Sequence, residues 1–170
     1  ALGSNLGDRA AHLGAAVRAL GETPGIEAVD HSHVYETDPV GPPPQGPYLN
    51  AVVKLHTTLG PGQLLSRLLE IEAERGRHRD GGRNAARTLD LDLLDYDGRL
   101  LSLDEPRLEL PHPRLAERPF VLEPLAEVAG DRVDPRSGER IAELASRVRD
   151  PEAVRPWRGT GGEEPWRSWP

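Results

Sequence analysis

The sequence predicts an α+β sandwich, in which helices pack on a mixed or antiparallel sheet. Helical segments with an apolar stripe alternate with short segments in which every second residue is apolar. Hairpin-like pairs of the short segments also occur, and they argue against a doubly wound parallel sheet. A chain of 170 residues has room for one domain with a hydrophobic core.

The first elements are a strand, a helix and a second strand, followed by a loop. The segment ALGSNLGD ends a strand in a glycine-containing turn, and Asp8 can cap a helix over residues 9–20. Residues 28–37 have the composition of a strand. Residues 38–47 contain too many prolines for a helix or a central strand, so we expect a loop there.

The next two elements are a strand and a helix. Residues 48–59 alternate between apolar and polar positions, which predicts a strand with one face toward the core. Pro61 suits the first turn of a helix over residues 61–75. Glu72 lies on the apolar stripe of this helix, where a carboxylate needs an explanation.

The remaining elements are shorter. They are a polar loop at residues 76–86, a strand at 87–94, a hairpin turn at Asp97–Gly98, and helices at 120–130 and 139–148. The chain becomes rich in proline, glycine and tryptophan after Asp150. We therefore place the domain at residues 1–150 and predict a poorly ordered tail over residues 151–170.

Composition excludes several classes of function. A net charge of −7 argues against a broad nucleic-acid-binding face, so any polyanion site must be a local cationic pocket. The absence of cysteine excludes disulfides and thiolate chemistry, and no apolar run predicts a membrane span or a signal peptide. The simplest interpretation is a cytoplasmic monomer that acts on small molecules, without nucleic-acid or membrane partners. Because the sequence contains no methionine, we expect residue 1 not to be the natural start.

The segment RNAARTLDLDLL places two carboxylates on one face of a strand. Asp90 and Asp92 point the same way, about 7 Å apart, while the neighbouring leucines face the core. Like charges at this spacing repel each other, unless a divalent cation binds between them and a phosphate. The alternative is a strand with a solvated acidic face, and a short D-x-D motif does not decide between the two.

Four arginines precede this carboxylate pair: Arg77, Arg79, Arg83 and Arg87. Guanidinium groups beside two carboxylates suit a polyphosphate, with metal ions between the carboxylates and the phosphate oxygens. The alternative is an arginine-rich surface loop that reflects biased composition.

Aromatic and polar side chains elsewhere are further candidates. His112 lies between two prolines, which suits a held phosphate donor, although a lone histidine is more often structural. Tyr48 and Asn50 share one strand face and offer a flat ring and a donor–acceptor pair for a heterocycle, or they are ordinary strand residues. Phe120, the only phenylalanine, is a core residue by default.

These residues resemble a known family, the 6-hydroxymethyl-7,8-dihydropterin pyrophosphokinases of the folate pathway. The segments ALGSNLGD, YLNAVV, IEAERGRHR, RNAARTLDLDLL and LPHPRLAERPFVLEPL occur in the family's order and spacing, over residues 1–145. The resemblance implies a ferredoxin-like α+β fold. It also implies transfer of the β,γ-pyrophosphoryl group of ATP to the hydroxymethyl group of the pterin, with release of AMP.

The resemblance also implies roles for individual residues. Asp90 and Asp92 resemble the ligands of two Mg²⁺ ions, and together with Arg77 and Arg87 they are the implied catalytic residues. The implied contacts to ATP are Glu72, Arg77, Arg79, Arg87, His112 and Arg118. The implied contacts to the pterin are Thr37, Val40, Tyr48, Asn50 and Phe120.

The chain departs from the family pattern at Asn84, Ala86 and Pro113, where relatives often carry tryptophan, proline and an aromatic residue. These positions lie on predicted loops, so we expect them to affect ATP affinity and loop closure more than the type of reaction. Two other hypotheses remain open. The D-x-D motif also serves magnesium-dependent glycosyl and nucleotidyl transferases, and an acidic strand face can dock a partner protein.

Overall fold

The computed structural model describes residues 1–41, 43–77 and 85–159. In chain order its elements are β1 (Leu2–Ser4), α1 (Arg9–Gly21), β2 (Ile26–His31), β3 (Tyr35–Thr37), β4 (Tyr48–Ala51), β5 (Val53–Thr57), α2 (Pro61–Glu74), β6 (Asp90–Leu91), β7 (Leu101–Leu103), β8 (Leu108–Leu110), a 3-10 turn (Leu115–Glu117), α3 (Pro119–Ala129), α4 (Ile141–Val148) and β9 (Val154–Pro156).

The main sheet has five strands in the order β6-β1-β4-β3-β9, and each of its neighbouring pairs is antiparallel. Two further pairs, β2 with β5 and β7 with β8, form separate antiparallel ribbons. Helices pack against these strands. The predicted α+β class is therefore confirmed, and the arrangement agrees with the ferredoxin-like sandwich that the resemblance implied.

The predicted helices are confirmed to within about two residues. Asp8 caps α1, because its carboxylate accepts a hydrogen bond of 3.0 Å from the backbone N–H of Ala11. Pro61 is the first residue of α2. The leucine faces of β1, β4 and β6 pack with buried residues of α1 and α2 in one core cluster, which includes Leu2, Leu49 and Leu91.

Two predicted strands are each divided in the structure. The predicted strand at 28–37 divides at Ser32 into β2 and β3, and the predicted strand at 48–59 divides at Val52 into β4 and β5. The two interruptions are bonded to each other, since the Val52 N–H donates to Ser32 Oγ at 3.0 Å and the Ser32 N–H donates to the Val52 carbonyl. Each of the two segments therefore contributes one strand to the main sheet and one strand to the ribbon of β2 and β5.

Three other expectations need correction. The strand expected at 87–94 is regular only at Asp90–Leu91. Asp97 and Gly98 do form a turn with positive φ, but the hairpin strands β7 and β8 lie after it. The expected tail begins with a strand instead, because Val154–Pro156 pairs with β3 in the main sheet. Residues 160–170 lie outside the described residues.

In the described part of the chain, no helix is both long enough and apolar enough to cross a membrane.

Candidate functional site

The candidate site lies on the face of the main sheet opposite its leucine core. Gly3 of β1 is paired with Asn50 on one side and with Asp90 on the other, so these three residues form a row across the sheet. A Cβ atom at Gly3 would lie 2.9 Å from Asn50 Oδ1, which is closer than a carbon and an amide oxygen can approach without a shift. Glycine therefore lets the functional side chains of β4 and β6 converge.

A cavity of about 300 Å³ opens above this row. Nine residues predicted from the sequence line it: Thr37, Val40, Tyr48, Asn50, Arg87, Asp90, Asp92, Arg118 and Phe120. They come from β3, β4, β6, the start of α3 and the segments between these elements. The fold thus brings together residues that are up to 83 positions apart, from Thr37 to Phe120.

One part of the cavity combines aromatic rings with an amide. Asn50 Nδ2 donates a hydrogen bond of 2.6 Å to the hydroxyl of Thr37, which is 2% exposed. This bond orients the amide of Asn50, because its nitrogen faces Thr37 and its oxygen faces Gly3. Tyr48 and Phe120 also line the cavity, and the guanidinium of Arg118 lies 5.6 Å from the centre of the Phe120 ring.

The opposite part of the cavity is ionic. Asp90 pairs with Arg77 at 2.6 Å and with Arg87 at 2.8 Å, and Asp92 pairs with Arg118 at 3.4 Å. The two carboxylates therefore share a cavity, as their spacing in the strand predicted. Their repulsion is offset by three guanidinium groups, and these groups are only 14–20% exposed.

Glu72 has partners within the protein. Its side chain is 2% exposed and accepts a hydrogen bond of 2.7 Å from the backbone N–H of Leu91 in β6. It also forms an ion pair with Arg77. Glu72 thus attaches helix α2 to the strand that carries Asp90 and orients the arginine that pairs with it.

His112 is held as a neutral donor. Its backbone N–H donates to the Leu94 carbonyl at 2.8 Å, and its Nδ1 accepts a hydrogen bond of 3.1 Å from the Arg114 N–H. Acceptance at Nδ1 leaves the proton on Nε2. Burial lowers the pKa of His112 below its usual value, although the charge of Asp92 opposes this effect.

Three of the described residues that the sequence predicted for the site do not line the cavity. They are Glu72, Arg77 and His112. Arg77 reaches the site through its ion pair with Asp90. Arg79 lies outside the described residues, as do Arg83 and Asn84.

The structure adds a residue that sequence reasoning left as part of a turn. Asn5 is only 9% exposed, and its side chain accepts a hydrogen bond of 2.8 Å from the Arg87 N–H. Its amide nitrogen donates to Gln45 Oε1 at 2.8 Å, within the loop that follows β3. Asn5 therefore connects the loop to Arg87. The only signal in the sequence was a polar residue in the Gly-Ser-Asn turn next to a strand.

A second addition is Arg114, which lines the cavity next to Arg118. Burial lowers the pKa of Arg118, and the nearby charge of Arg114 lowers it further, although Asp92 opposes both effects. Two neighbouring guanidinium groups give this wall of the cavity an affinity for anions.

The cavity contains carboxylate oxygens that can be ligands of a hard cation. No group of three or more histidine, cysteine, aspartate or glutamate side chains that could hold a metal occurs in the described residues. Mg²⁺ commonly takes only one or two carboxylates and completes its shell with water and substrate phosphates. Asp90 and Asp92 fit this chemistry.

A larger cavity, of about 600 Å³, lies beside β5 and the ends of α3 and α4. Of the predicted site residues that the structure describes, only Asp92 lines it. Its walls are mostly aliphatic, with the ion pair between Asp95 and Arg132 at one side. The smaller cavity is the candidate site because both predicted carboxylates and their arginine partners converge there beside the rings of Tyr48 and Phe120.

Comparison with known proteins identifies a family for this chain. A family model described as 7,8-dihydro-6-hydroxymethylpterin-pyrophosphokinase matches residues 1–130. Three relatives carry the name 2-amino-4-hydroxy-6-hydroxymethyldihydropteridine pyrophosphokinase. The protein of Synechocystis sp. is 45% identical over 147 residues, which cover 86% of this chain and 73% of the relative. The protein of Methylorubrum extorquens is 45% identical over 90% of this chain and 93% of its own, and that of Bacillus subtilis is 40% identical over 95% and 90%.

Proposed function

The chain belongs to the 7,8-dihydro-6-hydroxymethylpterin-pyrophosphokinase family, and we propose that it uses ATP and Mg²⁺ for the family's reaction. That reaction is pyrophosphoryl transfer to hydroxymethyldihydropterin in folate biosynthesis. The observation that carries the proposal is a single cavity in which Asp90 and Asp92, with their arginine partners, lie beside a wall built from two aromatic rings and an amide.

The aromatic part of the cavity is the proposed pterin site. The rings of Tyr48 and Phe120 stack on the heterocycle, and Asn50 and Thr37 bond its edge. The orientation of the Asn50 amide supports this assignment, since its bond to Thr37 holds both side chains at the wall of the cavity. Val40 is 68% exposed on the loop after β3, from which it covers the bound ring.

The ionic part is the proposed site for the triphosphate. When ATP binds, three guanidinium groups exchange their carboxylate partners for phosphate oxygens; they belong to Arg77, Arg87 and Arg118. The Nε2–H group of neutral His112 donates a hydrogen bond to a further phosphate oxygen. Arg79 has the same proposed role. Because Glu72 is buried and bonded to β6, its contribution to the nucleotide site is to orient Arg77.

Asp90 and Asp92 are the proposed ligands of Mg²⁺, with two ions in the complete site. When bound, these ions neutralise charge on the phosphate oxygens and orient the transferred group. The residues that line the cavity hold the hydroxyl of the acceptor in line with the β-phosphorus of ATP. The new P–O bond forms as the bond from this phosphorus to the oxygen of AMP breaks, the hydroxyl proton passes to solvent, and the guanidinium groups stabilise the departing AMP.

We also propose that the protein is a cytoplasmic monomer that does not bind nucleic acid. Its acidic net charge supports the last point. Sedimentation velocity measures the oligomeric state, and a dimer would contradict the proposal.

A coupled assay tests the proposed function. AMP release is followed with MgATP in the presence and absence of 6-hydroxymethyl-7,8-dihydropterin, and with EDTA as the control. We expect AMP to appear only when the pterin and Mg²⁺ are both present. Release of ADP, turnover without pterin, or turnover of a sugar nucleotide would contradict the proposal. The last result would favour the glycosyl or nucleotidyl transferase hypothesis.

A further inference from the structure

We propose that the C-terminal strand β9, through Arg155, positions the loop that covers the pterin site. The inference rests on the proposed function, and it concerns residues beyond those that the family model matches. Arg155 is a positioning residue in this proposal, because it acts on the substrate through Asp38.

Strand β9 gives β3 its second neighbour. Strand β3 has only three residues, and it lies between β4 and β9 in the main sheet. Thr37, the last residue of β3, is paired with Tyr48 on one side and with Val154 on the other. Without β9, the strand that presents Thr37 to the cavity would be an exposed edge strand.

Asp38 is held by the C-terminal segment through both its backbone and its side chain. Its N–H donates a hydrogen bond of 3.0 Å to the Ala153 carbonyl. Its carboxylate accepts a hydrogen bond of 2.7 Å from the guanidinium of Arg155, and this bond lowers the pKa of Asp38. Asp38 also lines the candidate cavity, so the contact connects β9 directly to the site.

The C-terminal segment forms a local turn before β9 and is attached to the rest of the domain after it. Before β9, the carboxylate of Asp150 accepts a hydrogen bond of 3.0 Å from the Ala153 N–H, and its carbonyl accepts one from Val154. After β9, the N–H of Trp157 donates to the Val34 carbonyl at 2.9 Å, and its side chain packs on the core cluster that includes Leu2 and Leu49. A segment fixed in this way can hold a loop in place.

The loop from Asp38 to Pro47 is therefore attached at both of its ends. Asn5 and Arg9 hold its second end, since they donate to Gln45 Oε1 at 2.8 Å and to the Pro47 carbonyl at 2.8 Å. Arg155 and the Ala153 carbonyl hold its first end. Each attachment reduces the number of conformations that the loop must lose when the pterin binds, which raises affinity for the pterin.

The test uses the full chain and compares Arg155→Ala with Arg147→Ala. Arg147 provides a matched control, because it is a surface arginine on α4 in an ion pair with Glu139. For Arg155→Ala we expect the KM and the Kd for the pterin to rise by about two- to fivefold, with kcat and the KM for ATP unchanged. Arg155→Lys retains the positive charge and should restore most of the pterin affinity. Arg147→Ala should resemble the wild type.

A double-mutant cycle identifies Asp38 as the intermediary. If Arg155 acts through Asp38, then Arg155→Ala should have no further effect on pterin binding in an Asp38→Ala background. An unchanged pterin KM in Arg155→Ala, or equal rises in the KM values for pterin and ATP, would overturn the inference. A wild-type protein without pterin-dependent AMP release would instead overturn the proposed function, and the inference with it.

Discussion

Replacement of Glu72 by alanine separates two roles for this residue. The family resemblance implied a contact to ATP, whereas the structure shows a carboxylate that joins α2 to β6. Removal of the carboxylate leaves the buried N–H of Leu91 without its acceptor, which costs about 1–3 kcal/mol. It also removes one of the two carboxylate partners that Arg77 has among the described residues, and the side chain of Arg77 is 14% exposed.

Together these losses should lower the free energy of unfolding by about 2–4 kcal/mol, less than the cost of leaving a buried charge with no partner, because Arg77 keeps its ion pair with Asp90. For a chain of this size, the melting temperature should fall by roughly 4–16 °C. Urea unfolding followed by circular dichroism measures the first quantity, and differential scanning calorimetry measures the second. Glu72→Gln keeps an oxygen that can accept from Leu91 and should recover part of the loss.

Glu70→Ala is the matched control. Glu70 lies on the same helix, its side chain is 63% exposed, and it pairs with Arg67 at 3.1 Å, so its loss should cost less than about 1 kcal/mol. Equal stabilities of Glu72→Ala and Glu70→Ala would refute the structural role. A rise in the KM for ATP that persists when Glu72→Ala is made in an Arg77→Ala background would make Glu72 a nucleotide contact, as the resemblance implied, because an effect that acts through Arg77 would be lost there.

Other substitutions address the metal site, the floor of the cavity and the pH dependence. Asp92→Asn should reduce turnover at least about 100-fold while pterin affinity changes little, and steady-state kinetics over a magnesium titration will show whether turnover persists. Gly3→Ala places a carbon 2.9 Å from Asn50 Oδ1 and should weaken pterin binding about tenfold by calorimetry, whereas Gly21→Ala, with open space around its Cβ, should not. Burial lowers the pKa of His112, so the unfolded chain binds a proton more readily. The contribution of neutral His112 to the free energy of unfolding is therefore fully present above its usual pKa of 6.5 and is lost as the pH falls through the lowered pKa of the folded state. In His112→Gln, the free energy of unfolding should depend less on pH over about pH 5 to 7.

The sequence by itself determined the helices and the strand face on which the two carboxylates of the site lie. Periodicity and capping residues predicted α1 and α2, because both signals depend on a few neighbouring residues. The strand period of two placed Asp90 and Asp92 on one face and the leucines on the other, and the structure confirms both placements. The residue pattern offered a metal and polyphosphate site as one of two alternatives, the family resemblance supplied the remaining roles, and all of these roles remain proposals.

Only the tertiary structure decided which side chains meet across the sheet. The break at Ser32 and Val52 depends on a bond between two distant segments, so no local pattern in either segment could reveal it. The buried bond from Glu72 to Leu91 and the pairing of β9 with β3 have the same origin. Such contacts join residues far apart in the chain, and their formation depends on the packing of the whole domain, whereas periodicity reports only on neighbours.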